Sequence, residues 1–347
     1  MSAVAAPALR LDRVVIRASA PTAVTAQAPR DLPNLARFLI DVVAQDTERA
    51  YKLVDDLTID VAPAERVALL GEEGCGKTTI ARACARLLPV DAGSIAVAGV
   101  DTKSRRREQQ RHVRRMLSVI FDDPEHGFDP RRTIERALID AAAALALVDA
   151  ERDVATLVRT AAVRARFPVD ALATRAGVLA PGLRARAALA RALLAEPAVV
   201  VIDEPAARLD PLERALLLEA LGGLARVSGD PAPAPAVLAL TQRPDVARAL
   251  AQRVGVLYLG TLVELGGPDV LDDPRHPYTR ALLEAAPRRA RPATARAIAG
   301  DLPSIGERPA GCPFHPRCPD AIARCASERP VLLGDRRAVA CHVVGQG

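Results

Sequence analysis

Between Val67 and Ile80 the chain reads VALLGEEGCGKTTI, and the reading of this stretch decides the fold. Val67 to Leu70 has the length and apolar character of a short buried strand, a glycine-rich turn follows, and Lys77 to about Leu88 reads as a helix. The spacing G-x-x-x-x-G-K-T is met by Gly71, Gly76, Lys77 and Thr78. Glycines let successive backbone N–H groups turn inward around phosphate oxygens, and the helix N-terminus adds a favourable dipole. Lys77 then places a cation on the β and γ phosphates, while the Thr78 hydroxyl is offered to Mg²⁺. Glu72, Glu73, Gly74 and Cys75 complete the loop and Thr79 follows it, so all nine residues from Gly71 to Thr79 are candidates for ATP binding. A chance glycine-rich turn is the weaker reading, because strand, turn and helix stand in the order the motif requires.

Working outward, short apolar runs alternate with helical stretches. Leu9, Leu11, Val14 and Ile16 suggest a first, loosely alternating strand, and LTIDV (Leu57–Val61) a second. SVIF (Ser118–Phe121), VVVI (Val199–Ile202) and VLAL (Val237–Leu240) read as further strands, with Arg131 to Arg175 almost wholly helical in composition. This pattern predicts an α/β fold of the P-loop NTPase kind around a mostly parallel sheet. A segment at about 18–50 interrupts it, with Leu35, Phe38, Leu39, Val42 and Val43 at helical spacing predicting a helix over Leu32 to Thr47. The strand VVVI ends in Asp203 and Glu204. These acids suit a water-mediated hold on Mg²⁺ by Asp203 and polarisation of the attacking water by Glu204; the plainer alternative is that they end a strand and cap a helix.

Bulk composition narrows the class. The 347 residues suffice for one large domain with an appendage or for two ordinary domains. Aromatics are 2%, so the core must be built mainly from Ala, Val and Leu. A net charge of +5 is mild, and the basic run KSRRREQQRHVRR (Lys103–Arg115) lacks interleaved aromatics, which predicts no nucleic-acid partner and a solvated helical face, with a contact to lipid headgroups or a partner as the alternative. No apolar run approaches the ~20 residues of a membrane span, and the N-terminus does not read as a signal peptide. The expected place is the cytosol, against a membrane protein.

VIDEPAARLD, with GLRARAALARALLAEP upstream, makes the chain resemble an ATP-binding subunit of ABC transporters. VIFDDPEHGFDPRRT, VLYLGTLVELG, HPYTRALLEAAP and CPFHPRCPDAIARC narrow the resemblance to the dipeptide and oligopeptide importers, the Sap-type peptide transporters among them. It covers nearly everything from Leu9 to His342 apart from the 18–50 segment. It implies a RecA-like core, an antiparallel β subdomain and an α-helical subdomain at about 125–190, together residues 1–275, then a Cys-rich extension, 276–347. It also implies function: ATP hydrolysis coupled to transport, two transmembrane permease subunits, a second ABC ATPase as heteromeric partner, and indirectly a periplasmic or extracellular solute-binding protein. Location at the cytoplasmic face of the inner membrane follows from the same resemblance. A different reading, a nucleotide-binding regulatory subunit with little hydrolysis, stands beside it.

Three departures from the family pattern bear on turnover. Where the family carries L-S-G-G-Q for the opposite subunit's nucleotide, this chain has LAPGL: Ala180 lacks the hydroxyl, Pro181 lacks an N–H donor, and Gly182 alone keeps its place. Asp122 stands at the family's Gln, and Gln242 at its switch His. Gln242 can hydrogen-bond a γ-phosphate but carries no charge; a lost charge-assisted bond is worth ~1.5–3 kcal/mol, so slow hydrolysis is expected. Asp210 matches the loop that contacts the opposite subunit and equally reads as a helix N-cap. No aromatic follows the first strand, since Ala18 stands there, and Tyr51 is the nearest candidate to stack on adenine, with a surface or core Tyr as the alternative.

Cys75 and Cys84 read as small buried residues. Cys312, Cys318, Cys325 and Cys341 are separated by five, six and fifteen residues in a Pro-rich tail, which in a cytosolic chain favours metal over disulfides. The resemblance implies a 4Fe–4S cluster; zinc, with His315 and His342 as further ligands, and unmetallated thiols remain alternatives.

Overall fold

A computed structural model describes residues 6–18, 51–122, 127–148, 153–224, 234–286, 303 and 308–344. The expected helix at 32–47 lies outside these residues. Two sheets organise the rest. The smaller is antiparallel, in the order β2-β1-β4-β5. It comprises β1 (Leu9–Ala18), β2 (Tyr51–Val61), β4 (Ala92–Val97) and β5 (Val100–Asp101). Leu9, Leu11, Val14 and Ile16 are buried while Asp12 and Arg13 both face solvent; the pairing slips between Leu11 and Val14, which is why the alternation looked loose in the sequence. β2 begins well before LTIDV and runs beside the full length of β1.

The larger sheet has the order β11-β10-β9-β3-β8-β7-β6. β3 (Arg66–Leu70), β6 (Leu117–Ile120), β7 (Val199–Asp203), β8 (Ala236–Thr241) and β9 (Arg253–Tyr258) are mutually parallel. β10 (Thr261–Gly266) and β11 (Ala338–Val339) add an antiparallel edge. Every residue of VVVID and of AVLALT is buried, as continuous apolar runs in strands covered on both faces should be.

Helices close both faces: α1 (Lys77–Cys84), α2 (Arg107–Met116), α3 (Ile134–Ala144), α4 (Val154–Arg164), α5 (Pro181–Leu193), α6 (Pro211–Gly223), α7 (Pro244–Leu250), α8 (Pro277–Ala285) and α9 (Ala323–Ser327). In α2, built from the basic run, only Val113 is buried, so the solvated face is observed. α1 is shorter than expected, ending at Cys84. The 131–175 stretch, helical in composition, holds α3, α4 and, opened by Pro168, a short 3₁₀ turn over Val169–Ala173.

Three cores result. One joins α3, α4, α5 and α6 to the sheet, a second fills the space between the two sheets, and a third gathers the C-terminal residues. In the third, Tyr258, Tyr278 and Phe314 pack tilted or edge-on to one another with ring centroids 4.6 to 5.3 Å apart. The tail is thus sewn onto the larger sheet through β11, and Ala340 N–H adds a bond to the Val263 carbonyl at 2.8 Å.

Candidate functional site

The loop between β3 and α1 is shaped by two close approaches. A Cβ on Gly71 would lie 2.4 Å from the Leu257 carbonyl oxygen, and Gly76, at φ 109°, has the Leu53 carbonyl 2.9 Å from where its Cβ would be. Only glycine meets both demands without strain. The loop borders a cavity of about 350 Å³ lined by Glu73, Gly74, Gly76, Lys77, Thr78 and Thr79 together with Asp122, Glu204 and Gln242. Gly71, Glu72 and Cys75 support it from behind: Gly71 N–H donates to the Thr241 carbonyl and Cys75 is buried, its thiol raised by burial.

Lys77 is nearly buried and its ammonium donates to the carbonyls of Gly71 (2.8 Å) and Glu72 (2.9 Å), which aims it at Glu204 Oε1, 3.4 Å away. Glu204 stands just beyond β7 with φ 47°, a left-handed conformation unusual for a non-glycine residue and one that accompanies functional strain. Its Oε2 accepts from the Thr241 hydroxyl (3.2 Å) and from the Gln242 N–H (3.1 Å). Burial pushes the Glu204 carboxyl up and outweighs the opposing effect of Lys77, the direction that makes it a better proton acceptor.

Asp203 is buried and raised by the same cause, partly countered by its hydrogen bond with Thr78. Asp203 Oδ1 and Asp122 Oδ1 are both sheltered and without a partner among the described residues. Two orphaned carboxylate oxygens beside a hydroxyl suit a hard divalent cation, so Thr78, Asp203 and Asp122 would hold Mg²⁺.

Ala180, Pro181 and Gly182 begin α5, with Ala180 as N-cap, and do not line this cavity. Gly182 N–H already donates to Glu213 Oε1 at 3.0 Å, so a carboxylate of this chain occupies the donor, a contact between α5 and α6 that the sequence did not signal. Asp210 caps α6 by accepting from Glu213 N–H at 2.8 Å. Tyr51 is half-buried opposite Ala18; its neighbours Lys52 and Leu53 line the cavity, and Tyr51 itself does not.

In the tail, burial raises the thiol of Cys312, with Cys325 and Cys341 adding to it, and pushes Cys318 up to about 11, with Cys312 and Cys341 contributing. The four thiols therefore share one electrostatic neighbourhood. Among the described residues, however, no group of three or more His, Cys, Asp or Glu is gathered closely enough to hold a metal, and all six cysteines are free. The expected cluster geometry is not formed. His315 and His342 are turned to backbone carbonyls, at Cys312 and Glu328.

Sequence reasoning missed the tail's grip on the nucleotide loop. Arg317 forms a fork on Glu72 (2.9 and 3.3 Å), and Tyr278 O–H accepts from Glu72 N–H at 3.0 Å. Arg308 lines the cavity itself. These contacts span 206 to 245 residues for Glu72, beyond the reach of any local pattern. Among the described residues no helix is long and apolar enough to cross a membrane.

Comparison with known proteins follows the same lines. Residues 54–207 match the ABC transporter family model, and residues 263–325 match the oligopeptide/dipeptide transporter C-terminal region. A probable peptide ABC transporter ATP-binding protein of Sinorhizobium fredii is 34% identical over 84% of this chain and 82% of its own length. A di/tripeptide transport ATP-binding protein of Pseudomonas aeruginosa is 34% identical over 84% of this chain and 90% of its own. Among solved structures, the ATP-binding cassette MJ0796, in a dimeric post-hydrolysis state bound to ADP and phosphate, aligns with a TM-score of 0.58 at 16% identity over 75% of this chain and 98% of its own. CbiO1 of Clostridium perfringens aligns at 0.59 and 18%, covering 77% of this chain and 91% of its own. At such identity these structures speak for the fold alone: a cassette with a mixed sheet and an antiparallel sheet.

Proposed function

We infer the function from one premise: this chain belongs to the ATP-binding proteins of the ABC transporter family, on the branch with the oligopeptide/dipeptide C-terminal region. It is an ATP-hydrolysing subunit that couples ATP binding and turnover to peptide import. The observation that carries the chemistry is Lys77 facing Glu204 at 3.4 Å with Asp203 Oδ1 left unpartnered beside Thr78. Bound Mg²⁺ would neutralise charge on the phosphates; Glu204 would orient and take a proton from the attacking water, and Lys77 would hold the γ-phosphate in line. The reading as a regulatory subunit is weaker, because these groups are assembled.

Two permease subunits would receive the motion, and the chain would work as a peripheral subunit at the inner membrane beside a second ATPase, fed by a solute-binding protein. Turnover at its own site would be slow. Gln242 supplies no charge there, and Ala180, Pro181 and the Glu213-bound Gly182 weaken the surface lent to the partner. For the tail, a 4Fe–4S cluster, with zinc as the alternative, would require the four thiols to be drawn together; their shared neighbourhood supports it. A brown anaerobic preparation with thiolate-to-iron absorption is the expected result, and a colourless, metal-free one would exclude it.

The main test is steady-state ATPase and di- or tripeptide uptake by the complete transporter in liposomes, with Glu204→Gln in this chain. A fall in both is expected. An ATPase rate equal to that of the unmodified complex would show that this site does not turn over.

A further inference from the structure

The nucleotide cavity has one wall that belongs to the C-terminal tail. Arg308 lines it beside Lys52, Leu53 and Leu259, although it lies more than two hundred residues from the phosphate loop. Its guanidinium is mostly buried: Nη2 donates to the Thr261 hydroxyl and pairs with Asp55 Oδ2 at 3.4 Å. Nη1 is shielded and has no hydrogen-bond partner among the described residues. Thr261 adjoins Gly260, whose backbone closes on Leu53, and the Leu53 carbonyl in turn abuts Gly76. Arg308 therefore stands on the Gly76 side of the loop, whereas Glu204 and Gln242 group around the Lys77 ammonium.

None of the described residues lining this cavity is aromatic, and Tyr51 is not among them. A purine entering the cavity needs a flat, partly desolvated partner, and a guanidinium tethered at Nη2 by Thr261 and Asp55 offers one. We propose that Arg308 is a nucleotide-binding residue contributed by the tail, its guanidinium plane taking the face of the adenine base while Lys77 and the loop take the phosphates. This rests on the ATP-binding reading above and adds that the tail is part of the nucleotide site. Occupancy of the site and docking of the tail are then linked, since Asp55 and Thr261 hold Arg308 and Arg329 together.

The test compares Mg²⁺-ATP with inorganic tripolyphosphate, which has the charge but no base, by titration calorimetry on the full chain. Arg308→Ala should weaken ATP about tenfold, within the range of desolvated cation–π contacts, and leave tripolyphosphate unchanged. Arg308→Lys, which keeps the charge and loses the plane, should bind ATP as weakly as the Ala variant. Undiminished ATP binding by Arg308→Ala, full rescue by Lys, or equal weakening of ATP and tripolyphosphate would each overturn the proposal. Failure of the unmodified chain to bind ATP would overturn the underlying reading as well. Because Arg308 also pairs with Asp55, lower unfolding midpoints are expected for the Ala variant, and the unchanged tripolyphosphate affinity is the control for an intact site.

Discussion

The Asp55→Asn variant tests how firmly the tail is fixed to the nucleotide-binding body. Asp55 is 4% exposed and receives Lys52 Nζ at 2.8 Å, Arg308 at 3.4 Å and a guanidinium nitrogen of Arg329, whose other nitrogen reaches the Asp55 carbonyl at 3.1 Å. Burial alone pushes this carboxyl up, but the Lys52 hydrogen bond and the charges of Arg308 and Arg329 outweigh it and hold it below the usual range. Asparagine keeps the shape and removes the charge, leaving the mostly buried Arg308 facing its neighbour Arg329 without a counter-ion. Breaking a fully buried pair costs ~3–5 kcal/mol, and because Lys52 and Arg329 are partly solvated the loss here is about 2–3 kcal/mol. At about 2–4 °C per kcal/mol this is a fall of about 4–12 °C in Tm, read by circular dichroism. The sign with pH follows from the depressed carboxyl. Its contribution is fully present above the unfolded value near ~3.9 and is lost as pH falls through the folded one, so the gap between the two proteins stays constant from pH 8 to about 5 and narrows only below about 4. A gap below about 1 kcal/mol at pH 7, or one that closes between pH 7 and 5, would refute the brace.

Other perturbations address the chemistry. Gly76→Ala should abolish ATP binding, because φ 109° is strained for alanine and the new methyl carbon would lie 2.9 Å from the Leu53 oxygen; retention of affinity within about threefold in an equilibrium titration would contradict the loop geometry. Single-turnover hydrolysis should fall on the acid side with an apparent pKa above the ~4.3 of a free glutamate, since burial raises Glu204, and Glu204→Gln should erase that limb; a limb at the ordinary value would remove Glu204 from the role of base. Gln242→His, measured with the partner's site inactivated, should speed this chain's own turnover by roughly 10–100-fold, the worth of a charge-assisted bond to phosphate, and no acceleration would mean that the position does not limit the rate.

The sequence by itself determined the parts whose physics is local. VALLGEEGCGKTTI fixes strand, turn and helix within fourteen consecutive residues, because the left-handed Gly76 and the apolar run before it leave few other conformations. VVVI and VLAL were legible as strands from their short apolar runs, and Glu204 was placed by its position at a strand end. Asp210 was seen as a cap because capping acts over three residues. The helical composition of 131–175 was legible but not its breaks: Ala-rich sequence favours helix everywhere, while Ala146 and Arg166 adopt positive φ just past the ends of α3 and α4.

Only the tertiary structure decided what the tail does. Composition marked it as a cysteine cluster, while the fold makes it a strand of the main sheet, a fork on Glu72 and a wall of the nucleotide cavity. It also decided that Gly182 is bound to Glu213, thirty-one positions away. Ion pairs and close approaches of this kind carry no periodicity, since each depends on where two remote backbones have been placed by their own strands and cores. That placement is a property of the packed sheets and leaves no mark on either partner's neighbours in the chain.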